Sequence, residues 1–337
     1  MSTPNLNCNE GASKSNDDGI CEVNDSVKNM STTDDNDVSI CANCDKEGSD
    51  VNNTCNKCKS VMYCNAACKK KHRHKHKKDC EEHQRLAAER TAKLHDEKLF
   101  KQPPMQDEDC PICLEHMPLF DTGSKYKTCC GKTICSGCIY AVQVRDRRVG
   151  LCPFCRVPTP TSEEEMIELT KKRMKIGDPI AIHNMGGYYN RGVMGFKQNS
   201  TKALELWHKA GELGYAPAYN NIGSIYLNGA GVEADKKKAK QYYEMAALKG
   251  HAVARHNLGC IEYWAGNTDR ALKHWLIAVG GGEADSLKRI QQFYSNGLAT
   301  KDVYKKSLHA YQEYLNEIKN AQRDEAAAFD DDFKYID

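Results

Sequence analysis

The second half of the chain repeats a pattern of basic, small and aromatic residues at helical spacing. Four times between residues 178 and 320 a basic residue precedes a small one, an aromatic residue follows four positions later, and the units recur every 32 to 37 residues. The four occurrences are Lys202-Ala203…Trp207, Lys238-Ala239…Tyr243, Arg270-Ala271…Trp275 and Lys306-Ser307…Tyr311. A unit of this length holds a pair of helices, and stacked pairs bury a continuous core. The pattern therefore predicts an all-α helical-repeat solenoid over residues 162–320.

Capping residues mark where the first helices of this solenoid begin and end. Ser162-Glu-Glu-Glu165 is a capping box that opens a helix running toward Ile176, and Gly177-Asp178-Pro179 ends that helix and begins the next. Glycines close the first three units, at positions 214, 250 and 282. Four aromatic residues are expected to belong to the core rather than to a ligand site: Trp207, Tyr226, Tyr243 and Trp275.

Three further segments have their own composition. Residues 1–40 hold eight acidic and two basic residues, which predicts disorder because too little apolar surface is available to offset the chain entropy. Residues 81–109 predict a helical linker, with a helix from Glu81 to Phe100 that the prolines at 103 and 104 end. Residues 321–337 predict an acidic C-terminal tail, and its last part, 330–337, is expected to fray.

Composition and charge exclude several classes of protein. The 337 residues carry 48 basic and 46 acidic side chains, a net charge of +2, which excludes a chain-wide nucleic-acid-binding surface. No run of about 18 apolar residues is present, so we expect no membrane span. The first residues lack the basic and apolar regions of a secretory signal, which predicts an intracellular protein of the cytoplasm, the nucleus or both.

Cysteine is the residue whose use stands out. There are 18 cysteines, and 15 of them lie between Cys41 and Cys155. In a reducing compartment, cysteines at C-x2-C spacing hold metal more often than they form disulfides. Zinc is the metal that thiolate and imidazole ligands favour. The spacing predicts two zinc-binding modules, over residues 41–80 and 110–156.

The first block supplies eight ligands in four pairs. In chain order they are Cys41 and Cys44, Cys55 and Cys58, Cys64 and Cys68, and His76 and Cys80. Eight ligands make two tetrahedral sites, and a segment of about 40 residues has too little core to fold without metal. We therefore expect metal binding to supply the folding free energy of this block.

This spacing, together with the Tyr63-Cys64 dipeptide, resembles the MYND-type zinc finger. Lys69 and Arg73 stand where that family usually has glutamine and tryptophan. The basic run 69–78 fits either a solvated helix face or a patch for nucleic acid or an acidic partner; we favour the solvated face, so nucleic acid is not an expected partner. The resemblance implies two interleaved sites, one of Cys41, Cys44, Cys64 and Cys68, and the other of Cys55, Cys58, His76 and Cys80.

The second block consists of three cysteine segments. They read Cys110-Pro-Ile-Cys113, Cys129-Cys-Gly-Lys-Thr-Ile-Cys135-x2-Cys138 and Cys152-Pro-Phe-Cys155-Arg156. These segments resemble the RING finger, a zinc module that recruits ubiquitin-charged conjugating enzymes. The resemblance implies a first zinc on Cys110, Cys113, Cys135 and Cys138. It implies a second zinc on Cys152, Cys155 and two ligands from residues 129–132.

One position departs from the commonest RING pattern, because Lys132 stands where a zinc-binding histidine is usual. A lysine ammonium has no lone pair to offer to zinc. Cys129 and Cys130 together restore eight ligands, as in the all-cysteine C4C4 variants, if the chain bends sharply at Gly131. We favour this solution, although the sequence leaves open which of the two cysteines ligate zinc.

A RING finger holds no covalent catalytic residue, since it only positions a thioester-linked ubiquitin for attack by a substrate lysine. By resemblance, Ile112 and Pro153 contact the conjugating enzyme, and Arg156 supplies a cation that bridges enzyme and ubiquitin. The alternative is that Ile112 and Pro153 only shape the zinc loops and Arg156 is solvated. The sequence therefore leaves open whether the protein is an enzyme.

The solenoid resembles Sel1-like repeats, relatives of the tetratricopeptide class. The resemblance rests on Met185-Gly-x2-Tyr189-x2-Gly192 and its second copy, Ile222-Gly-x2-Tyr226-x2-Gly229. It implies an inner face that binds a partner protein. The expected architecture is multidomain, with two small cross-braced zinc modules of the α+β class followed by the all-α repeats, and with four Zn2+ per chain.

Two functions fit this architecture. The leading hypothesis is a RING-type ubiquitin ligase in which the MYND and Sel1 modules recruit substrates or partners. The alternative is a non-enzymatic adaptor, favoured by the departures at Lys69, Arg73 and Lys132. A MYND-containing lysine methyltransferase is excluded because no cofactor-binding glycine motif is present. Removal of metal is expected to unfold residues 41–155 and to leave the solenoid helical.

Overall fold

The computed structural model describes residues 39–101, 109–119, 123–145, 147 and 150–336. These residues fall into two units, one ending at Lys98 and one beginning at Leu99. The disorder predicted for residues 1–40 lies almost entirely outside the described residues. Within the described ranges, no helix combines the length and the apolar character needed to cross a membrane.

The first unit contains a cysteine-rich module with very little apolar core. Its two short strands, β1 (Asn53–Thr54) and β2 (Met62–Tyr63), pair antiparallel. The buried side chains beneath them are Cys41, Val51 and Tyr63. So small a core is not expected to offset the chain entropy of about 40 residues by itself.

Helix α1 (Ala66–Phe100) is longer than the sequence pattern indicated, because it starts within the first cysteine block. Between residues 81 and 98 nearly every side chain is exposed. A helix that is polar on all sides depends on pairs of opposite charge one turn apart. Arg85 supplies two such pairs, since its guanidinium lies 2.6 Å from the carboxylates of Glu82 and Glu89.

The second unit contains the second cysteine module, which we define as residues 109–158. Its strands β3 (Ser124–Lys127) and β4 (Lys132–Cys135) pair antiparallel, with Ser124 opposite Cys135. Helix α2 (Ser136–Tyr140) and a π-helical turn (Ala141–Arg145) follow. The core again consists mostly of cysteines, packed around Ile134 and Ile139.

The rest of the second unit is an array of consecutive helices that pack on one another. Their bounds are α3 (Glu163–Lys175), α4 (Pro179–Arg191), α5 (Ser200–Glu212), α6 (Ala216–Asn228), α7 (Lys236–Leu248), α8 (Ala252–Trp264), α9 (Thr268–Gly280), α10 (Ala284–Ser295) and α11 (Lys301–Ile318). The predicted helix starts are confirmed. The Ser162 hydroxyl accepts a hydrogen bond from the Glu165 amide at 3.2 Å, and the Asp178 carboxylate caps α4.

One close contact recurs in three units of the array. It pairs a glycine of one helix with an aromatic residue of the next: Gly186 with Trp207, Gly223 with Tyr243, and Gly259 with Trp275. A β-carbon on any of these glycines would lie only 2.3 to 2.8 Å from the aromatic ring. The repeated glycine and the repeated aromatic residue are therefore two halves of one contact. In the fourth unit Gln291 stands at the glycine position.

The acidic end of the chain is folded, so the prediction that residues 330–337 fray was wrong as far as residue 336, where the description ends. Helix α12 (Ala321–Phe329) and a 3-10 turn (Asp331–Phe333) follow α11. Tyr335 is buried and packs with Tyr314. The aspartates are exposed, whereas Phe333 is half-buried and Tyr335 is buried, a division that net charge alone does not reveal.

Replacing Gly186 by alanine should destabilise the array. The new methyl group would meet the Trp207 ring at 2.6 Å, and overpacking of this kind lowers the free energy of unfolding by about 1–3 kcal/mol. The matched control is Gly187→Ala on the same helix, where the nearest atom lies at 3.5 Å. That change should be neutral or slightly stabilising, since alanine favours helix over glycine. Urea unfolding followed by tryptophan fluorescence compares the two, and equal losses would contradict the contact.

Acidification should weaken the array through His274, which is fully buried on α9 with its ring 4.6 Å from that of Phe100. Burial, assisted by the charge of Arg255, lowers the pKa of His274 to about 3. The unfolded chain binds this proton below about pH 6.5 whereas the folded chain does not, so the free energy of unfolding falls as pH drops from 6.5 toward 3. The repeat accommodates leucine at this position, since Leu206 stands at the equivalent place in the first unit.

His274→Leu should therefore remove about 2 kcal/mol of the stability lost between pH 7 and pH 5. Urea unfolding of wild type and variant at both pH values measures this difference. His309→Leu is the control, because that side chain is 75% exposed and should leave the loss unchanged. An identical pH dependence in His274→Leu and wild type would refute the assignment.

Candidate metal centres

Sixteen side chains lie in four groups of four, and within each group the ligand atoms are within 4.8 Å of one another. Cluster A is Cys41, Cys44, Cys64 and Cys68, and cluster B is Cys55, Cys58, His76 and Cys80. Cluster C is Cys110, Cys113, Cys135 and Cys138, and cluster D is Cys129, Cys130, Cys152 and Cys155. The structure thus brings together the same sets of residues that the sequence analysis named.

Clusters A and B alternate along the chain, and α1 serves both. Cys68 in its first turn belongs to cluster A, whereas His76 and Cys80, one turn apart further along, belong to cluster B. His72 is held elsewhere, since its Nδ1 lies 3.2 Å from the Tyr63 hydroxyl and its ring stacks on His76 at 5.8 Å. The neighbouring histidine therefore supports the ligand histidine rather than competing with it.

Four of the five C-x2-C pairs adopt the same backbone turn, whereas the fifth, Cys135–Cys138, begins helix α2. The residue after the second cysteine has a φ of 54 to 60°, and its amide donates to the carbonyl of the first cysteine at 2.8 to 3.0 Å. These residues are Asp45, Lys59, Leu114 and Arg156. The tight turn places both thiols of a pair on the same side, which is what a shared ion requires.

The spacing of the sulfur atoms fits a tetrahedral zinc ion. With Zn–S bonds of about 2.3 Å, the sulfurs of a tetrahedron are about 3.8 Å apart, whereas a disulfide needs about 2.05 Å. The Sγ–Sγ distances are 3.7 Å for Cys44–Cys64, 3.6 Å for Cys64–Cys68, 3.7 Å for Cys55–Cys80, 3.8 Å for Cys113–Cys135 and 3.8 Å for Cys130–Cys152. The residues present therefore fit the metal.

Crowding perturbs the acidity of these thiols. Burial, with added repulsion from neighbouring cysteines, raises the pKa of Cys64 to about 12 and that of Cys80 to about 11. Burial likewise raises the pKa of Cys113 to about 11. In contrast, the backbone amide of Cys64 lowers the pKa of Cys41 to about 6. Without a cation each cluster must retain protons, so a divalent ion that displaces them resolves the repulsion.

Cluster D depends on the bend at Gly131. That residue has a φ of 70°, and its amide donates to the Lys127 carbonyl at 2.8 Å. The resulting turn brings both adjacent cysteines to the cluster, with Cys129 Sγ at 3.4 Å from Cys155 Sγ. Lys132 lies on β4 with an exposed side chain, outside the cluster. This is the arrangement that the sequence analysis favoured.

Two contacts to these clusters were not anticipated. Asn43 Nδ2 lies 3.4 Å from Cys68 Sγ, and Arg173 on α3 donates to the Cys129 carbonyl at 3.0 Å. Asn43 lies between Cys41 and Cys44, so its place in the sequence already indicates that it is close to a cluster. Arg173 is 44 residues from Cys129, and no local pattern connects the two.

The second cysteine module exposes apolar side chains on the two C-x2-C pairs that adopt this turn, Cys110–Cys113 and Cys152–Cys155. Ile112 is 38% exposed and Phe154 is 43% exposed. Of the other residues proposed to contact a conjugating enzyme, Arg156 is exposed and Pro153 is half-buried. The sequence analysis missed Phe154, although it stands at the same place in its turn as Ile112.

Comparison with known families identifies two of the segments. Residues 41–80 match the MYND finger model, and residues 179–215 and 216–251 each match the Sel1 repeat model. The first cysteine module is a MYND finger. The helical array contains Sel1 repeats, one formed by α4 and α5 and the next by α6 and α7, so the predicted fold class is confirmed. A MYND finger implies zinc, and Sel1 repeats support contacts with other proteins.

Two relatives share part of the sequence. An Arabidopsis thaliana protein, the ERAD-associated E3 ubiquitin-protein ligase component HRD3B, is 27% identical over 113 residues, covering 33% of this chain and 18% of the relative. The exopolysaccharide production negative regulator of Rhizobium meliloti is 28% identical over 103 residues, covering 30% of this chain and 38% of the relative. The chain thus spans well under half the length of these relatives.

Solved Sel1 structures are similar over about half of the chain. A Sel1 repeat protein from Oxalobacter formigenes is 29% identical with a TM-score of 0.40, covering 46% of this chain and 64% of that one. The antigen c5321 of uropathogenic Escherichia coli, described as displaying an SLR fold, is 26% identical with a TM-score of 0.38. The match covers 50% of this chain and 37% of that chain.

Four clusters predict four zinc ions per purified, reduced chain. Cys129→Ser and Cys130→Ser should each lower the measured stoichiometry to about three, because an oxygen at a neutral hydroxyl replaces a thiolate ligand of cluster D. Lys132→Ala is the matched control and should retain four. Metal analysis by plasma mass spectrometry provides the measurement. Full occupancy in either serine variant would show that the cysteine concerned is not a ligand.

Proposed function

We propose that this protein is an intracellular RING-type ubiquitin ligase. In this proposal the second cysteine module recruits a ubiquitin-conjugating enzyme, and the MYND finger and the Sel1 repeats recruit substrates or partner proteins. The observation that carries the proposal is the pair of exposed apolar side chains on the two C-x2-C turns of the second module.

The MYND finger provides an internal comparison for those side chains. Its two C-x2-C turns have the same backbone, yet Asn43 and Lys57 stand where the second module has Ile112 and Phe154. The turn itself therefore does not require an apolar residue at this place. Apolar side chains that are exposed without a backbone reason are typical of a surface that a partner covers.

The chemistry proposed for the second module needs no nucleophile from this chain. The amine of a substrate lysine attacks the thioester carbonyl, the new C–N bond forms, and the C–S bond breaks as the conjugating enzyme's thiolate leaves. The module contributes by holding the charged enzyme in a reactive geometry. Arg156, exposed directly after Cys155, offers a planar set of donors that suits a contact between enzyme and ubiquitin.

The zinc ions in this proposal are structural. Each cluster offers four protein ligands and therefore a closed tetrahedral site with no position for a reacting group. The metal would supply folding free energy to the modules. Recruitment by the flanking modules then raises the effective concentration of substrate near the transfer module. The name of the Arabidopsis relative, an E3 ligase component, supports the same setting.

The alternative function is a non-enzymatic adaptor whose zinc modules only dock partners. The lysine at position 132 and the unmatched Lys69 and Arg73 of the MYND finger favour it. The Lys69 amine has a local role, because it donates to the Thr54 carbonyl and to the Asn56 side chain at 2.6 Å. An adaptor would bind the same partners and form no ubiquitin chains.

Autoubiquitination with a panel of conjugating enzymes tests the proposal. Ile112→Ala and Phe154→Ala should each reduce the rate about tenfold or more, since truncating an interface anchor raises the barrier by about 1.4 kcal/mol or more. Arg156→Ala should reduce transfer while leaving enzyme binding largely intact. Lys57→Ala, at the equivalent place in the MYND finger, is the control and should keep the wild-type rate.

Two outcomes would contradict the ligase proposal. If no member of the panel yields chains while a known active RING does so under the same conditions, the adaptor function replaces the ligase. Rates that fall equally in Lys57→Ala and Ile112→Ala would remove the specific role of the second module.

A further inference from the structure

The second cysteine module contacts helices at both ends of the array. At one end it meets α3 and α4, which begin the array, and at the other it meets α11, which ends the array, and α12, which follows it. Helical repeats otherwise contact only their neighbours, so the stability of one repeat reaches a distant one only through those between. A module that contacts both the first and the last helices couples the two ends of the array directly, without passing through the repeats between them.

At the first end, contacts hold the turn that carries cluster D. Arg173 of α3 donates to the Thr128 and Cys129 carbonyls at 3.2 and 3.0 Å. Tyr126 of β3 donates its hydroxyl to Asp178 at 2.7 Å, and the same carboxylate caps α4. A β-carbon on Gly131 would come within 2.9 Å of both Asp178 and Arg173. The glycine of the turn thus also permits this close approach.

At the other end, contacts hold the loop and helix that carry cluster C. Arg323 of α12 is completely buried, and its guanidinium donates to the Ile318 carbonyl at 2.7 Å and to the Glu115 carbonyl at 3.4 Å. The Leu119 amide donates to the Tyr314 hydroxyl at 2.7 Å. The backbone carbonyl of Glu115 lies in the loop directly after Cys113, so Arg323 supports a ligand loop.

Close packing completes this second interface. A β-carbon on Gly137 of α2 would lie 2.9 Å from the Arg323 amide, and one on Gly123 would lie 2.2 Å from the Tyr335 side chain. The Tyr140 ring lies 5.2 Å from that of Phe329 and 6.0 Å from that of Phe333. The segment from α12 to Tyr335 therefore packs closely against the module.

We propose that the second cysteine module is a zinc-dependent brace that joins the two ends of the helical array. The module has almost no core apart from its cysteines, so its contact surfaces exist only while metal holds clusters C and D together. Zinc binding must then stabilise α3–α4 and α11–α12 as well, and by linkage those helices must tighten the hold on zinc. This goes beyond the expectation from sequence that the solenoid remains helical when metal is removed.

The brace bears on partner binding by the repeats. The curvature of a repeat array sets the shape of its inner face. A link between its ends fixes that curvature, so a partner that requires one shape binds the zinc-loaded form more tightly than the metal-free form. The brace requires no ubiquitin chemistry, and its test is separate from that of the proposed ligase function.

Hydrogen exchange of the full-length chain tests the brace, with and without a strong zinc chelator under reducing conditions. Metal removal should increase exchange in α3–α4 and in α11–α12 about tenfold or more, while α7, in the middle of the array, changes much less. Unchanged exchange at both ends would overturn the proposal, and so would equal loss of protection throughout. Cys41→Ser, which disables only cluster A, is the control and should leave α11–α12 protected.

The reciprocal measurement uses Arg323→Met, which leaves all sixteen cluster residues in place. Zinc release from the full chain, followed with a colorimetric chelator, should accelerate about 10- to 100-fold for the ions of the second module. Lys306→Met, an exposed position on α11, is the matched control. Tyr126→Phe provides a second variant at the other interface, with the same expected direction, in case Arg323→Met does not fold. Release rates equal to wild type in the folded variants would refute the brace.

Discussion

The crowding of four thiols or imidazoles in each cluster, which either retained protons or a divalent metal ion must neutralise, is the constraint on which both cysteine modules depend. The buried apolar residues of the MYND finger amount to little more than Val51 and Tyr63, and those of the second module to Ile134 and Ile139. Neither core offsets the entropy of its segment. The sulfurs are nevertheless spaced as the corners of tetrahedra. In the proposed zinc-loaded protein, metal takes the place that apolar burial has in larger domains.

The helical array follows a different rule, in which burial of apolar surface is repeated unit by unit. Trp207 and Trp275 each cover a glycine on the neighbouring helix. Because glycine has no side chain, it leaves room for the large indole ring. Such contacts are local to a pair of helices. The second cysteine module breaks this locality, because Arg173 and Arg323 attach it to opposite ends of the array.

The same backbone turn occurs four times in this chain with different side chains. Where the MYND finger has Asn43 and Lys57, the second module has Ile112 and Phe154. In every case the same positive φ and backbone hydrogen bond place both thiols of a pair on the same side. Function has to be sought in the side chains that the turn exposes, because the fold alone does not distinguish a docking module from a transfer module.

The amino-acid sequence alone determined the features that depend on short-range spacing. The C-x2-C pairs, the capping residues at Ser162 and Asp178, and the recurring glycine and aromatic positions are all readable locally, because each is constrained by residues a few positions or one repeat away. Family resemblance predicts which ligands share clusters A to D, and the structure brings the same sets together.

Only the tertiary structure decided the contacts between distant segments. It showed that both Cys129 and Cys130 turn toward cluster D, and that the acidic C-terminal end folds onto the second module through Arg323 and Tyr335. A buried arginine paired with backbone carbonyls leaves no mark in the sequence, since any residue can supply the carbonyl. Long-range partners of this kind are set by the packing of whole elements, which local periodicity does not encode.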